Sequence, residues 1–270
     1  MRAGSGTRRA RRSVTGALVA LAALAAGCGD DRPGAGEKIH VFAAASLAPA
    51  MEEIAGLHRI RTGDEVVLEL ASSSTLARRI EDGAEADVFV AASRDWLDRL
   101  VGRGRIRAGS VFDAAGNALV IVAPAAAPFS FTVGDSGGLA VAFEGRLAVG
   151  DPEGVPLGAY ARQSLEHAGW WSALESRVVG AADARAALAL VERAECAAGI
   201  VYASDALGSE RVQVVERVPD DWHEDIVYAA GLVEGRSLPG AERFLETLRS
   251  PDAAKVLRKH GFRVPDRHRP

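Results

Sequence analysis

The chain of 270 residues has only two cysteines, Cys28 and Cys196, too few for a disulfide framework once either one is engaged elsewhere. Its six histidines (His40, His58, His167, His223, His260 and His268) show no metal-ligand spacing, and Cys196 has no near histidine. That excludes the common zinc arrangements. The one Gly-x-Ser-x-Gly string, Gly134-Asp-Ser-Gly-Gly138, lies in the Pro/Gly-rich stretch over 124–138 and not at the strand-to-helix turn a nucleophile elbow requires, and no phosphate-binding P-loop is present, which argues against a serine hydrolase and a P-loop nucleotidase. No basic stripe is visible that could neutralise a nucleic-acid backbone. No internal repeat or low-complexity block interrupts the body of the chain, and no apolar run is long enough to stay in a bilayer as a spanning helix.

What the chain does have begins with an unusual amino terminus. Arg2, Arg8, Arg9, Arg11 and Arg12 form a basic region, followed by an apolar run over 14–26. The pattern is that of a signal peptide over 1–27. Its end, Leu24-Ala25-Ala26-Gly27-Cys28, has the form of a lipoprotein signal in which Cys28 becomes the first mature residue and carries lipid. A plain secretory signal cut near Ala26 is the alternative. The paired arginines lack the Phe-Leu of a twin-arginine leader. With Cys28 lipidated, Cys196 is left as a small buried apolar residue in an Ala-rich stretch. Polar, Gly/Pro-rich residues over 28–37 read as a tether.

Removing the leader changes the charge. Residues 1–27 hold five arginines and no acid, so from Cys28 onward the chain has 27 basic and 36 acidic residues, net −9. A chain so acidic is expected to hold an anion by local dipoles and not by its overall field.

From Lys38 onward, short β-rich runs alternate with helical patterns. Strands are expected over 39–44, 66–71, 87–91, 118–123, 146–149, 177–179, 199–202, 212–215 and 226–233. Helices are expected over 47–58, 75–82, 94–101, 157–168, 184–194, 239–249 and 251–259. This alternation predicts an α/β chain with mainly parallel sheets. Leu47, Met51, Ile54 and Leu57 mark the apolar face of the first helix, with Ser46 placed as its N-cap. Ser72-Ser73-Ser74 precede the second, and Gly83 ends it. The segment 124–138 reads as a surface excursion. Trp170 and Trp171 read as core or inter-lobe packing, and Asp87 and Asp151 as structural strand-end acids.

Several strand-to-helix junctions look like open helix N-termini: Ala45-Ser46, the serine triplet, Val155-Pro156-Leu157 and Asp183-Ala184. Unpaired N–H groups and a partial positive charge make such an end an anion site. In open α/β sheets these junctions gather at the carboxyl edge of the strands. A serine before a helix is more often only a cap, so spacing alone leaves both readings open.

Six segments carry a resemblance. Val41-Phe-Ala-Ala-Ala-Ser-Leu47, Ala71-Ser-Ser-Ser-Thr-Leu-Ala-Arg78, Ala86-Asp-Val-Phe89, Gly145-Arg-Leu-Ala-Val-Gly-Asp-Pro-Glu153, Ala186-Ala-Leu-Ala-Leu-Val-Glu-Arg193 and Gly199-Ile-Val-Tyr-Ala-Ser-Asp205 are similar to the periplasmic or extracellular molybdate-binding proteins of bacterial ABC importers. The similarity runs over about 39–262.

The resemblance implies a two-lobed α/β periplasmic-binding-protein fold of the type II kind, with the ligand in the cleft between lobes. The lobes are expected over 38–119 plus 224–266 and over 120–223. It implies no enzyme activity and no cofactor, with a hydrolase or an adhesion protein on the same fold as the less favoured alternatives. The partners would be a small oxyanion (molybdate or tungstate, with sulfate as a rival) and a membrane permease. The chain is expected to be a monomer, exported and held at the membrane by lipid, with no nucleic-acid partner. By resemblance, Ser46, Ser73 and Tyr202 donate side-chain O–H groups to the anion, and Leu157 and Ala184 donate backbone N–H groups. Molybdenum would be present only as the bound oxyanion. Leu157 stands where a smaller residue is common, and Ala184 where valine is frequent.

Overall fold

Residues 36–236 and 238–265 are described by a computed structural model of the chain. The leader, Cys28 and most of the tether lie outside the described residues.

The chain runs β1 (Lys38–Ala44), α1 (Ala48–Thr62), β2 (Glu65–Ala71), α2 (Ser73–Glu81), β3 (Val88–Ala91), α3 (Arg94–Gly102) and β4 (Phe112–Gly116). It then crosses to β5 (Leu119–Pro124), α4 (Leu139–Ala142), β6 (Leu147–Gly150), α5 (Pro156–His167), α6 (Trp171–Leu174), β7 (Val178–Ala181), α7 (Ala184–Glu192), β8 (Ala198–Tyr202), α8 (Ala203–Leu207) and β9 (Val212–Arg217). It returns for β10 (Val227–Leu232), α9 (Pro239–Arg249) and α10 (Pro251–Lys259). The result is a two-lobed α/β fold built on two five-stranded sheets, ordered β2-β1-β3-β10-β4 and β7-β6-β8-β5-β9.

The two sheets share one plan. In each, three neighbouring strands run parallel, β2-β1-β3 and β7-β6-β8. The remaining two are antiparallel to their neighbours. The expectation of mainly parallel sheets is therefore corrected to mixed ones. A parallel neighbour needs a long crossover, usually a helix, to carry the chain back to the starting edge. β5 and β10 each arrive from the other sheet through a connection without such a helix, so they run against their neighbours.

β3, β5, β6 and β8 are buried along their whole length, as continuous apolar runs covered on both faces should be. The face of α1 buries Met51 and Ile54 as expected, but Leu57 is only partly buried and His58 takes the next inward position. Its ring lies between Thr247 Oγ1 at 2.8 Å and Asp64 Oδ2 at 3.2 Å, edge-on to Phe244. This ties α1 to α9. Asp64 also accepts the Glu37 N–H at 2.9 Å, so the expected tether has already become fixed backbone by Glu37.

Three short helices, α4, α6 and α8, and strand β4 were not foreseen. Over 124–138 the chain is mostly exposed, with Phe131 turned inward against Trp170. Trp170 also meets Trp222, which lies in the connection between β9 and β10. Among the described residues no helix is long and apolar enough to cross a membrane.

Candidate functional site

Parallel strands bring their carboxyl ends to one edge, and here both sheets do so toward the same cavity. The first sheet contributes Ala44, Ala45 and Ser46 after β1, Ala71, Ser72 and Ser73 after β2, and Ala92 after β3. The second contributes Val155, Pro156 and Leu157 after β6, Asp183 and Ala184 after β7, and Tyr202 at the end of β8. The cavity is tight, with a volume of about 10 Å³. All five residues expected to bind, Ser46, Ser73, Leu157, Ala184 and Tyr202, line it. Among the described residues, no lysine or arginine does.

Local chemistry places each group. Ser72 is the N-cap of α2: its Oγ accepts the Thr75 N–H at 3.2 Å and lies 3.0 Å from Ser74 Oγ. Those two hydroxyls are absorbed by the helix end. Ser73, the first helical residue, is different. Its Oγ accepts the Ala92 N–H at 2.8 Å.

Leu157 and Ala184 stand in the first turns of α5 and α7, where amides have no partner within the helix. Pro156 before Leu157 removes one such amide at no cost. Gly158 allows α5 to sit directly on the end of β6, because a Cβ there would lie 2.3 Å from the Gly150 carbonyl oxygen. Asp183 puts a carboxylate on the cavity wall, but it serves as the N-cap of α7 and accepts the Ala186 N–H at 2.9 Å.

Tyr202 is 1% exposed and its hydroxyl has no hydrogen-bond partner among the described residues. Burial pushes its pKa well above the ordinary phenol range, so the proton stays on oxygen. A buried unpaired hydroxyl is costly, and native proteins rarely tolerate one without a use.

Ser46 departs from expectation in its role in the helix. The chain makes a 3-10 turn over Ala45–Leu47, and Leu47 is the N-cap of α1. Ser46 therefore caps nothing, and its Oγ lies 2.8 Å from the Tyr228 hydroxyl on β10. Tyr228 and Asn117, which touches it at 3.2 Å, were missed by sequence reasoning. A tyrosine inside an apolar strand and an asparagine beside a turn carry no local signal of a shared site.

Beside this cavity, and sharing Ser46 with it, is a second hollow lined by Arg185, Ser204, Asp205, Lys259 and His260. Asp205 is buried, neither of its oxygens has a hydrogen bond among the described residues, and its ion-pair partner Arg185 is 3.7 Å away. Burial raises its pKa to about 7.

The other chemical-looking residues are structural, as expected. Asp87 accepts the His40 N–H and the Arg236 Nε–H, each at 2.7 Å. Asp151 accepts the Glu153 N–H at 3.1 Å. Cys196 is buried, and that burial pushes its thiol pKa up. No group of three or more metal-binding side chains occurs among the described residues.

Residues 39–263 match the family of bacterial extracellular solute-binding proteins. The chain is 44% identical over 229 residues to the molybdate-binding protein ModA of Escherichia coli, covering 84% of this chain and 89% of that one. It is 33% identical over 246 residues to the putative ABC transporter substrate-binding lipoprotein YvgL of Bacillus subtilis, covering 88% and 93%. The periplasmic molybdate-binding protein of Azotobacter vinelandii has the same fold, with a TM-score of 0.73 at 23% identity over 84% of this chain and all of that one. The chain belongs to the bacterial extracellular solute-binding protein family and is a homologue of its molybdate-binding members.

Proposed function

We propose that the chain captures a tetrahedral oxyanion, molybdate or tungstate, in the cavity between its two sheets and delivers it to the permease of an ABC importer. The observation that carries this reading is the Tyr202 hydroxyl, buried, protonated and unpartnered, where N-termini of α2, α5 and α7 converge. Ser46, Ser73 and Tyr202 donate O–H groups, and Leu157 and Ala184 donate N–H groups.

The donor set suits the ligand. An oxyanion taken from water must recover its hydrogen bonds or desolvation defeats binding. Fully ionised molybdate accepts at every oxygen, so a wall of donors satisfies it. Phosphate that retains a proton needs an acceptor, and the one carboxylate on the wall, Asp183, is engaged with its own helix. Sulfate accepts at every oxygen too, and is disfavoured by size, since a smaller tetrahedron leaves some fixed donors unpaired. The relatives are solute-binding proteins, and the chain is read as a binder and not an enzyme.

The lobes, 38–119 plus 224–266 and 120–223, would close about the connections at 117–118 and 218–226 as hinges. Export follows from the 1–27 leader, anchoring from lipid on Cys28, and action as a monomer from a site complete within one chain.

Calorimetric titration of the mature protein with molybdate, tungstate, sulfate and phosphate tests the reading. Molybdate and tungstate should bind at micromolar levels or below and sulfate far more weakly. Equal affinity for sulfate and molybdate would make the chain a general oxyanion binder, and heat from none of the four would overturn the assignment.

A further inference from the structure

Asn117 lies in the two-residue connection between β4 and β5, where the chain passes from one sheet to the other, and it is buried. Its Oδ1 accepts the Ala118 N–H at 2.9 Å. A backbone N–H can only donate, so this contact fixes which end of the amide is oxygen. The NH2 end then faces Ser204 Oγ at 2.9 Å and the Tyr228 hydroxyl at 3.2 Å. An amide NH2 offers protons and accepts none. Tyr228 therefore accepts from Asn117, and its own single proton has one remaining partner, Ser46 Oγ at 2.8 Å. Ser46 accepts that proton, which leaves its own O–H free to point into the cavity it lines.

We propose that Asn117, acting through Tyr228, holds the Ser46 hydroxyl as a donor toward the ligand and so biases the cleft against oxyanions that carry a proton. The proposal rests on the oxyanion reading above. Asn117 and Tyr228 are positioning residues: the signal is hydrogen-bond direction, passed from an amide whose orientation the backbone dictates. Because Asn117 joins Ser204 on α8 to Tyr228 on β10, the direction is set where the chain crosses between the sheets.

The test is a reversal. In Asn117→Asp one carboxylate oxygen still serves the Ala118 N–H, while the other can only accept. Tyr228 then turns its proton to the carboxylate, Ser46 donates to Tyr228, and Ser46 presents a lone pair to the cavity. The new charge disfavours every anion alike, so the readout is the ratio of molybdate to hydrogen-phosphate affinity. It is measured by calorimetry near about pH 9, well above the ordinary aspartate range, where phosphate still holds one proton. We expect that ratio to fall by roughly tenfold or more relative to the unaltered chain, the size of one hydrogen bond to a charged group. Tyr228→Phe, which removes the relay without reversing it, should lower the ratio by a smaller factor, and thermal melts establish that each variant folds. An unaltered chain that binds molybdate beside two folded variants that keep its molybdate-to-phosphate ratio overturns the relay and leaves the oxyanion reading standing. An unaltered chain that binds no oxyanion removes the reading and the relay together.

Discussion

Among the described residues, Ser73 Oγ accepts its only hydrogen bond from the Ala92 N–H, at 2.8 Å, so the hydroxyl proton of Ser73 has no claim on it from them and is available to the cavity that Ser73 lines. Its neighbours differ: Ser72 and Ser74 are turned to the helix end and to each other. Ser73→Ala should weaken molybdate binding by about 1.5–3 kcal/mol, the range for a hydrogen bond to a charged group. Ser72→Ala should leave affinity nearly unchanged and cost about 1 kcal/mol of stability through the lost cap. Calorimetry and denaturant melts on both variants separate the two; a Ser72→Ala protein that loses binding while Ser73→Ala keeps it would reverse the assignment within the triplet.

Tyr202→Phe should move stability and affinity in opposite directions. In the ligand-free protein the hydroxyl is buried without a partner, and removing it relieves a desolvation cost of roughly 1–3 kcal/mol. With ligand, the same change removes a donor. The variant should therefore melt at a higher temperature than the parent without molybdate and gain less from adding it. A variant that melts lower in both conditions would mean that Tyr202 serves only the core.

Asp205 makes a prediction about pH. Its pKa in the folded protein is raised to about 7, against 3.8 for an unperturbed aspartate, chiefly by burial. Between those values the folded state holds a proton that the unfolded state has released. Stability from this group is thus fully present below pH 3.8, falls as pH rises toward about 7, and is level above it. The slope is about 1.4 kcal/mol per pH unit while only the folded state is protonated. Asp205→Asn should flatten this part of the stability profile and raise stability at neutral pH relative to the parent. Urea titrations at several pH values check it, and a parent profile that climbs through this window from Asp205 would contradict the sign.

Cys28 follows Leu24-Ala25-Ala26-Gly27, and if residues 1–27 are removed as a lipoprotein leader, processing there would leave a diacylglyceryl cysteine as the first mature residue. Mass spectrometry of protein recovered from membranes should find that modification, and Cys28→Ala should release the protein in soluble form. A soluble native protein whose unmodified amino terminus precedes Cys28 would exclude the anchor.

Much of this was set by local sequence. Apolar runs bounded by polar turns marked nine of the ten strands, and four of them, β3, β5, β6 and β8, are uninterrupted because they are buried along their whole length. β4 escaped because Phe112-Asp-Ala-Ala-Gly116 has neither alternation nor β-branched residues, and pairs because β10 is beside it. Helix N-termini expected at 75, 157 and 184 lie within two residues of the observed starts at 73, 156 and 184, because caps and proline act within one turn. Only the tertiary structure decided which of these ends meet, and that the chain's two crossings make each sheet mixed. It alone made Ser46 a partner of Tyr228, 182 residues away, and not a helix cap. It alone left the Tyr202 hydroxyl buried without a hydrogen bond and Asp205 buried with only Arg185 near it, at 3.7 Å, among the described residues. The physical reason is range. Caps and hydrophobic periodicity act over a few residues, whereas the direction of a hydroxyl proton and the charge of a buried acid depend on whatever the fold brings within 3 to 4 Å, and that distance is not written along the chain.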